Sequence, residues 1–391
     1  MNPAPARTDP PDPPWIHPRA AYVHIPFCAH KCGYCDFAIA TGKDDRIDAY
    51  LTALSQEIAL WGRIQPLRTL FVGGGTPSHL GVRQLVFLCS ILRDGLAVQN
   101  GGEVSIEANP ESLSREKIKL LAEAGFSRIS LGAQSFSRET LQSLDRPHDP
   151  DAVREAVNRV KEEGLVVSLD LIFGAPGQTI LQWQSDLREA IGLGTDHIST
   201  YGLTYEKGTP LEKRVRLGMV KPVGEDIERE MYAHAIATLR ASNYEHYEIS
   251  NFARQNRRCA HNGVYWANEA HYGLGMGAAG YVGLSRDVNT RDLERYIRLC
   301  SVGTRPVFQS ETLKPRERAV ETMAQNLRRL EGVEAKRFHE QTGFDPQSFF
   351  AAELERLVGQ GFLESDSKGF RLTHEGKFVA DSVIERLMRC V

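Results

Sequence analysis

The sequence has no long apolar run, no excess of basic charge and no regular pairing of its cysteines. No stretch approaches the roughly 18 consecutive apolar residues that a membrane helix needs, and no apolar core follows the first charges as it does in a signal peptide. Lysine and arginine number 47 against 50 aspartate and glutamate residues, and the formal net charge is -3. Because nucleic-acid binding normally needs a strongly basic domain, we expect no nucleic-acid partner.

The seven cysteines do not suggest a disulfide framework. Four of them lie far apart along the chain, at Cys89, Cys259, Cys300 and Cys390. An odd count without regular spacing suits a reducing compartment better than a secreted protein. We therefore expect a cytoplasmic protein.

The length and the first residues predict a folded chain with a tail. At 391 residues the chain exceeds one ordinary domain, so two domains are expected. Residues 1–19 contain seven prolines and few apolar groups, a composition that predicts a disordered or polyproline tail.

From residue 20 to about 235, short apolar runs rich in β-branched residues alternate with amphipathic helical patterns such as "REKIKLLAEAG". Gly125 and Gly164 are placed to end helices just before the next strand. Repeated βα units predict a parallel sheet, and six of them favour an α/β fold: a partial (β/α)6 TIM-like barrel whose site lies at the carboxyl ends of its strands. An open doubly wound sheet is the alternative. The six runs are "AYVHIPF", "TLFVGGG", "EVSIEAN", "RISLGAQ", "VVSLDLIFG" and "HISTYGL".

The last part of the chain has a different pattern. Residues 311–391 contain three helical segments followed by "FLESDSKGFRLTHEG", two strand-like runs around a polar turn. This order resembles a winged helix, so we expect a C-terminal helical, winged-helix-like domain, with residues 236–310 as a connecting segment. Since a fold does not fix a function, we interpret this domain as a lid or docking module rather than a DNA-binding domain.

Three cysteines, Cys28, Cys32 and Cys35, lie close together in a loop after the first predicted strand, with the spacing C-x3-C-x2-C. A structural zinc site completed by His24 or His30 is one interpretation, although zinc usually takes four ligands from two separated pairs. Buried, inert cysteines are another. Three thiolates on one loop can instead hold three irons of a cubane cluster and leave the fourth iron open, which is the interpretation that we favour.

With Tyr34 before the last cysteine, this motif resembles that of the radical S-adenosylmethionine superfamily. The glycine-rich turn "FVGGGTP" after the second strand is similar to the amino-binding motif of that family, at Gly74, Gly75 and Thr76. In that family the open iron is chelated by the methionine part of S-adenosylmethionine, whose sulfonium bond is cleaved by an electron from the cluster. The resemblance implies a [4Fe-4S] cluster and S-adenosylmethionine as cofactors, with the three cysteines as metal ligands.

Other strand ends carry polar side chains that could reach the same pocket. Glu107, Gln134 and Asp170 follow three of the predicted strands, and Arg146 lies just beyond the fourth. Carboxylates can accept hydrogen bonds from ribose hydroxyls and complement a sulfonium cation, while a guanidinium can bind a carboxylate as a fork. Each residue taken alone could equally be an ordinary cap or surface charge.

The segments "YVHIPFC", "GGGTP", "SIEANP", "GAQSF" and "DLIFGAPGQ" narrow the resemblance to the HemN/HemW branch, which contains oxygen-independent coproporphyrinogen III oxidase and the HemW heme chaperones. The likeness extends from residue 20 to about 390. Asp36 and Phe37 stand where the oxidase pattern has glycine and a further cysteine, and only 19 residues precede the first strand, so the HemW side is favoured. Carried over by this resemblance, the S-adenosylmethionine contacts are Tyr22, Tyr34, Gly74, Gly75, Thr76, Glu107, Gln134, Arg146 and Asp170.

The segment "HNGVYW" at 261–266 is similar to the HNxxYW motif of HemW, so the resemblance implies heme as a third cofactor, bound by His261. An imidazole can ligate iron, and Tyr265 and Trp266 could cover a porphyrin face. The alternative is that His261 caps a helix and the aromatic rings fill core. Rival iron ligands in the same stretch are Cys259, His271 and Met276.

We therefore expect a heme chaperone that delivers heme to respiratory proteins. The alternative function is enzymatic, the radical oxidative decarboxylation of coproporphyrinogen III, and the sequence leaves open whether S-adenosylmethionine is cleaved. A DNA-binding regulator is a third hypothesis that rests on the winged helix alone. The expected partners are heme and heme-accepting respiratory proteins, and a transient membrane contact and a homodimer are compatible with the sequence.

Overall fold

A computed structural model of the chain describes residues 13–390, in which strands and helices alternate. The strands are β1 (Ala20–Ile25), β2 (Phe27–Cys28), β3 (Ala40–Thr41), β4 (Leu67–Gly74), β5 (Val98–Ala108), β6 (Arg128–Gln134), β7 (Val166–Phe173), β8 (His197–Gly202), β9 (Glu245–His246), β10 (Asn251–Ala253), β11 (Tyr272–Leu274), β12 (Ala279–Val282), β13 (Ser285–Asn289), β14 (Val307–Thr312), β15 (Val333–Glu334), β16 (Leu363–Ser365) and β17 (Gly369–Leu372). The helices are α1 (Ile47–Leu60), α2 (Val82–Gly95), α3 (Arg115–Glu123), α4 (Arg138–Ser143), α5 (Pro150–Glu162), α6 (Ile180–Gly192), α7 (Pro210–Arg216), α8 (Glu225–Ala241), α9 (Ala260–Trp266), α10 (Leu293–Ser301), α11 (Pro315–Asn326), α12 (Ala335–Thr342), α13 (Pro346–Phe349), α14 (Ala351–Gly359), α15 (His374–Phe378) and α16 (Ala380–Met388).

The central sheet has the order β11-β1-β4-β5-β6-β7-β8-β10-β9. The six predicted strands are β1, β4, β5, β6, β7 and β8, and each pairs in parallel with its neighbour. β11 adds in parallel beyond β1, whereas β10 adds antiparallel beyond β8. Among the described residues the sheet stays open, with β11 and β9 at its edges, and the predicted α/β class with a central parallel sheet is confirmed.

Burial on both faces explains why these segments form central strands. In β7, six of eight residues are buried, and helices cover the sheet as parallel topology requires. The helix α5 presents Val153, Ala156, Val157 and Val160 to this core, at the spacing of one helical face. Gly164, just beyond α5, has φ of +72°, a left-handed conformation that glycine adopts without a steric penalty, which is the predicted helix end.

The C-terminal residues form a second core around α11, α12, α14 and a three-stranded sheet in the order β15-β17-β16. The third predicted helix is interrupted at Phe350, so that it forms α13 and α14. Gln341 donates a hydrogen bond from Nε2 to the carbonyl oxygens of Ala267 (3.2 Å) and Asn268 (2.8 Å). The residues that follow α9 are therefore tied directly to the C-terminal domain.

The first described residues pack against the connecting segment. The carbonyl oxygens of Pro14 and Ile16 accept hydrogen bonds from Ala270 N (2.9 Å) and Gly283 N (3.4 Å). Residues 13–19 thus depart from the predicted disorder of residues 1–19, because their backbone is paired; residues 1–12 of that prediction lie outside the described residues. Between residues 13 and 390, no helix is both long and apolar enough to cross a membrane.

Candidate functional site

The three cysteines face one cavity at the carboxyl ends of the parallel strands. Cys28 ends β2, and Cys32 and Cys35 follow in the same loop; Cys28 and Cys32 are buried and Cys35 is half-buried. Backbone hydrogen bonds at Gly33 hold the loop in place: its N–H donates to Leu144 O (3.2 Å), and its carbonyl oxygen accepts from Leu211 N in α7 (2.8 Å). All three thiols line a cavity of about 520 Å³.

The arrangement of the thiols fits a cluster better than a single metal ion. A tetrahedral zinc site needs four ligands on one ion, whereas each thiolate of a cubane binds a different iron, and three thiols on one loop leave the fourth iron open. Burial raises the pKa of the Cys28 thiol to about 11, and a metal bound to that sulfur would favour its thiolate form.

The glycine-rich turn after β4 lies directly beneath the cysteine loop. Gly74 has φ of +112°, and a Cβ built on Gly75 would lie 2.7 Å from the carbonyl oxygen of Pro26 and 2.9 Å from the Cys28 sulfur. Any side chain at Gly75 would displace that cysteine. Thr76 Oγ1 lies 3.4 Å from Cys28 Sγ, so the glycine-rich turn contacts the cysteine loop directly and helps to position it.

Arg146 connects three parts of the cavity wall. Its Nη1 donates to Cys32 Sγ (3.3 Å), and its Nη2 donates to Asn109 Oδ1 (2.9 Å) and to the carbonyl oxygen of Gly132 (2.7 Å). The Asn109 amide in turn donates to Thr76 Oγ1 (3.2 Å). These bonds fix the guanidinium against the Cys32 sulfur and tie the cysteine loop to the ends of β5 and β6.

Two buried carboxylates, Glu107 and Asp170, line the same cavity. Burial raises the pKa of Glu107 to about 8, and the nearby Asp170 contributes by repulsion, while the hydrogen bond from Gly74 N (2.9 Å) opposes the shift. Burial also raises the pKa of Asp170, against hydrogen bonds such as that from Ser130 Oγ (3.1 Å). A cation that enters this cavity would be stabilised by both groups. Gln134, at the end of β6, also lines the cavity and has φ of +63°, a conformation that is uncommon for a residue other than glycine.

A smaller inner cavity of about 240 Å³ lies deeper in the barrel, and shares Glu107 and Asp170 with the cysteine cavity. Tyr22 faces this inner space, where its hydroxyl lies 3.1 Å from His24 Nδ1 and its ring stacks near Phe71. The structure thus brings Tyr34, Gly74, Gly75, Thr76, Glu107, Gln134, Arg146 and Asp170 to the cysteine cavity. It does not bring Tyr22 there.

His261 also faces the inner cavity and has both ring nitrogens in hydrogen bonds. Its Nδ1 lies 2.9 Å from Thr69 Oγ1, and its Nε2 lies 2.9 Å from the Tyr265 hydroxyl. Burial lowers the pKa of this imidazole to about 3, so it is neutral. The inner cavity is smaller than the roughly 300–1,000 Å³ of usual small-molecule sites. In this arrangement His261 links α9 to β4, and its assignment as a heme ligand stays a prediction.

Sequence reasoning missed several side chains that complete the cavity. Asn109 connects Arg146 to Thr76, and Ser130 orients Asp170. Asn109 stands within "SIEANP", a segment that carried the family resemblance, so its polar amide at a strand end was a usable signal. Ser130 lies inside β6 and gave no such signal, because a serine within a strand usually has no functional role.

The C-x3-C-x2-C loop, the glycine turn and the parallel sheet together define a radical S-adenosylmethionine protein. Residues 22–190 match the family model "Radical SAM superfamily", and residues 313–379 match "HemN C-terminal domain". The chain is 37% identical to "Heme chaperone HemW" of Bacillus subtilis (strain 168), over 93% of this chain and 98% of that protein. It is 34% identical to the protein of the same name from Lactococcus lactis, over 95% and 97%. The chain therefore belongs to the HemW family of the radical SAM superfamily.

Two further comparisons extend this result. The chain is 30% identical to the mitochondrial radical S-adenosyl methionine domain-containing protein 1 of Danio rerio, over 94% of this chain and 86% of that protein. The solved structure of coproporphyrinogen III oxidase (HemN) from Escherichia coli has a TM-score of 0.82, covers 96% of this chain and 90% of its own, and is 24% identical. At that identity the likeness establishes a shared fold. The predicted membership of the HemN/HemW branch is confirmed, and the superfamily implies a [4Fe-4S] cluster and S-adenosylmethionine.

Proposed function

We propose that this chain is a heme chaperone, which binds heme together with a [4Fe-4S] cluster and S-adenosylmethionine and delivers the heme to respiratory proteins. The observation that carries the proposal is the similarity, over 93% of this chain, to a relative named heme chaperone HemW. The cavity with three thiols supports the cofactor part of the proposal.

In this proposal Cys28, Cys32 and Cys35 hold the cluster. The bound cluster would supply an electron donor with one open iron for the methionine part of S-adenosylmethionine. The chain's own residues hold and shield it: Arg146 donates to Cys32, and the glycine turn fixes Cys28 from below.

The proposed contacts to S-adenosylmethionine follow from the charge and shape of the cavity. A bound sulfonium or ammonium cation would favour the ionised forms of the two buried carboxyl groups, and the glycine turn allows the ligand to approach the backbone. The residues proposed for these contacts are Tyr34, Gly74, Gly75, Thr76, Glu107, Gln134, Arg146 and Asp170. Tyr22 is included by family resemblance, and from its present position it would act through the inner cavity.

The proposal assigns a separate role to each of three segments of the chain. Residues 20–235 hold the cluster and S-adenosylmethionine, residues 236–310 carry the HNxxYW motif, and residues 311–391 form the winged-helix-like domain. For His261 to ligate heme iron, its hydrogen bond to Thr69 or to Tyr265 must break.

The first experiment tests the cofactors on anaerobically reconstituted protein. Cys32→Ala should abolish the cluster's visible absorption and its acid-labile sulfide, because two thiolates cannot hold a cubane. Cys89→Ala is the matched control, since Cys89 lies on α2 and outside the cavity. Retention of the full sulfide content in Cys32→Ala would contradict the ligand assignment.

The second experiment tests heme delivery. Heme-loaded protein is added to respiratory membranes from heme-deficient cells, and electron transfer should recover faster than with the same concentration of free heme. The same preparation is given coproporphyrinogen III, S-adenosylmethionine and a reductant. Protoporphyrinogen formation at catalytic rates, without any gain in membrane respiration, would replace the chaperone assignment by the oxidase activity.

A further inference from the structure

The backbone makes a strained turn at the carboxyl end of β6, where Gln134 lines the cysteine cavity. Gln134 has φ of +63°, and the N–H of Ser135 donates to the carbonyl oxygen of Ala133 (2.8 Å). A hydrogen bond from residue i+2 to residue i around a central residue of positive φ defines the rarer and more strained form of γ-turn. The same carbonyl oxygen accepts a hydrogen bond from His148 Nε2 (3.0 Å). Such strain persists only where the surrounding structure holds it.

The turn determines where the side-chain amide of Gln134 lies. The pairing of β6 with β7 changes register here, so that Gly132 pairs with Asp170 but Gln134 pairs with Leu171. A Cβ built on Gly132 would lie 3.0 Å from Gln134 Nε2 and 3.2 Å from Arg146 Nη2. The amide is therefore placed beside the guanidinium in the cavity wall. A negative φ at residue 134 would rotate the Cα–Cβ bond and move the amide away from this place.

Asp186, on α6, holds the turn from outside the cavity. Its Oδ2 accepts a hydrogen bond from Ser135 Oγ (2.6 Å), and its Oδ1 accepts one from Phe136 N (2.7 Å). Asp186 is 1% exposed and Ser135 is fully buried. The two residues that follow Gln134 are therefore fixed to α6, and the chain cannot relax out of the turn without breaking buried hydrogen bonds.

Core packing does not explain a carboxylate at this position. The buried residues of α6 are Trp183, Asp186, Leu187 and Ala190. An apolar side chain would continue this face of the helix. Between residues 13 and 390, no basic side chain has a nitrogen within 4.0 Å of the Asp186 carboxyl oxygens. Burial raises the pKa of Asp186 to about 6, and the hydrogen bonds from Ser135 and Phe136 oppose the shift, so the group is ionised at neutral pH. A buried charge costs free energy, and here its two hydrogen bonds both serve the turn.

We propose that Asp186 is a positioning residue for S-adenosylmethionine: through Ser135 and Phe136 it holds the turn at Gln134, and the turn holds the Gln134 amide against the ligand. Asp186 lies outside the cavity lining, so it acts through the turn and not by contact. The inference rests on the proposed function, because the identity of the ligand comes from it.

The first test measures S-adenosylmethionine affinity by calorimetric titration of the reconstituted full chain, without a reductant. Asp186→Ala should bind about tenfold more weakly, which is the loss expected for one hydrogen bond to a charged ligand. Asp186→Asn should bind as the wild type does. Its amide oxygen can accept from Phe136 N, and its amide nitrogen can donate to Ser135 Oγ, since a hydroxyl both donates and accepts. Failure of the asparagine to restore affinity would contradict the proposed role of these two bonds.

A double-mutant cycle separates positioning from general stability. In a Gln134→Ala background, Asp186→Ala should cause no further loss of affinity, because no amide is left to position. An equal further loss in that background would overturn the proposal. If Asp186→Ala does not fold, Ser135→Ala removes one of the two hydrogen bonds and is taken through the same cycle.

Glu57→Ala is the matched control. Glu57 is also a buried carboxyl on the core face of a helix, α1, where it accepts hydrogen bonds from Gly275 N (2.7 Å) and the Tyr296 hydroxyl (2.6 Å). None of these three residues lines the cysteine cavity. Urea unfolding should show a loss of stability for both alanine variants, but only Asp186→Ala should lose affinity. An equal loss of affinity in Glu57→Ala would mean that instability alone explains the effect, and the proposal would be wrong.

The outcomes also separate this inference from the proposed function. If the wild type with a complete cluster binds no S-adenosylmethionine, the cofactor part of the proposed function fails. If the wild type binds it and Asp186→Ala binds it equally well, the proposed function stands and the positioning role is refuted.

Discussion

Replacement of Glu107 by glutamine should change how the stability of this protein depends on pH. Glu107 ends β5 inside the barrel, where burial raises the pKa of its carboxyl from 4.5 to about 8 and Asp170 adds repulsion. Its Oε2 accepts a hydrogen bond from Gly74 N (2.9 Å). Glutamine has nearly the same shape and keeps an acceptor for that N–H, so the variant removes the titration with little change in packing.

The sign and size of the effect follow from linkage. Between pH 4.5 and about 8 the folded protein holds a proton that the unfolded chain has released, so stability is greatest below pH 4.5 and falls as pH rises towards 8. The slope for one such group is about 1.4 kcal/mol per pH unit. From pH 6 to pH 8, the free energy of unfolding of the wild type should therefore fall by roughly 2 kcal/mol relative to Glu107→Gln.

The measurement is urea unfolding of the cluster-free protein at pH 6, 7 and 8, for the wild type and the variant. Glu355→Gln is the control, because Glu355 is exposed on α14 and far from the barrel interior. The gap between the wild type and Glu107→Gln should widen with pH, while the gap for Glu355→Gln should not. Parallel curves for the wild type and Glu107→Gln would refute the claim that this carboxyl is protonated at neutral pH.

Two further predictions concern the walls of the cysteine cavity. Gly75→Ala should destabilise the protein by about 1–3 kcal/mol, because its Cβ would lie 2.7 Å from the Pro26 carbonyl oxygen and 2.9 Å from the Cys28 sulfur. Thermal unfolding measures the loss of stability, and the sulfide content measures the effect on the cluster. An unperturbed cluster with unchanged stability would contradict the close approach. Asn109→Ala should weaken S-adenosylmethionine binding about tenfold, because it removes one of the two hydrogen bonds of Arg146 Nη2, the loss expected for a hydrogen bond to a charged group. Calorimetric titration of reconstituted protein measures this change, and equal affinity would show that the other bonds of Arg146 are sufficient.

The strands and the cysteine cavity were predictable because their causes are local in sequence. Apolar β-branched runs that end in glycine or polar residues define each parallel strand, and parallel strands end at one edge of a sheet. Glu107 and Asp170 therefore meet as expected. β11, only Tyr272–Leu274, was not predicted, because a three-residue strand has no periodicity and its place beside β1 depends on tertiary contacts.

The positions of Tyr22, of His261 and of the cleft lined by Arg19 and Arg337 could not be predicted from the sequence for a related reason. A residue within a strand faces one side or the other according to the pleat, and Tyr22 is directed to the inner cavity rather than to the cysteines. The motif at His261 identifies a short helix, but not that Thr69 and Tyr265 would occupy both ring nitrogens. The cleft joins Arg19 to Arg337, which no local pattern connects.

The three internal spaces of the barrel share walls, and this has an electrostatic consequence. Asp170 lines the cysteine cavity and the inner cavity, and Arg128 lines the inner cavity and a cleft at the amino ends of β1, β4, β6 and β7. Burial raises the pKa of Asp170, and the positive charge of Arg128 is among the interactions that oppose the shift, so the two groups interact through the inner cavity. A cation bound near Asp170 favours its ionised form, and an ionised Asp170 weakens the attraction of Arg128 for a further anion. A cation bound near Asp170 and an anion bound near Arg128 would therefore affect each other's free energy of binding through fixed charges, and by linkage the effect would be equal in both directions.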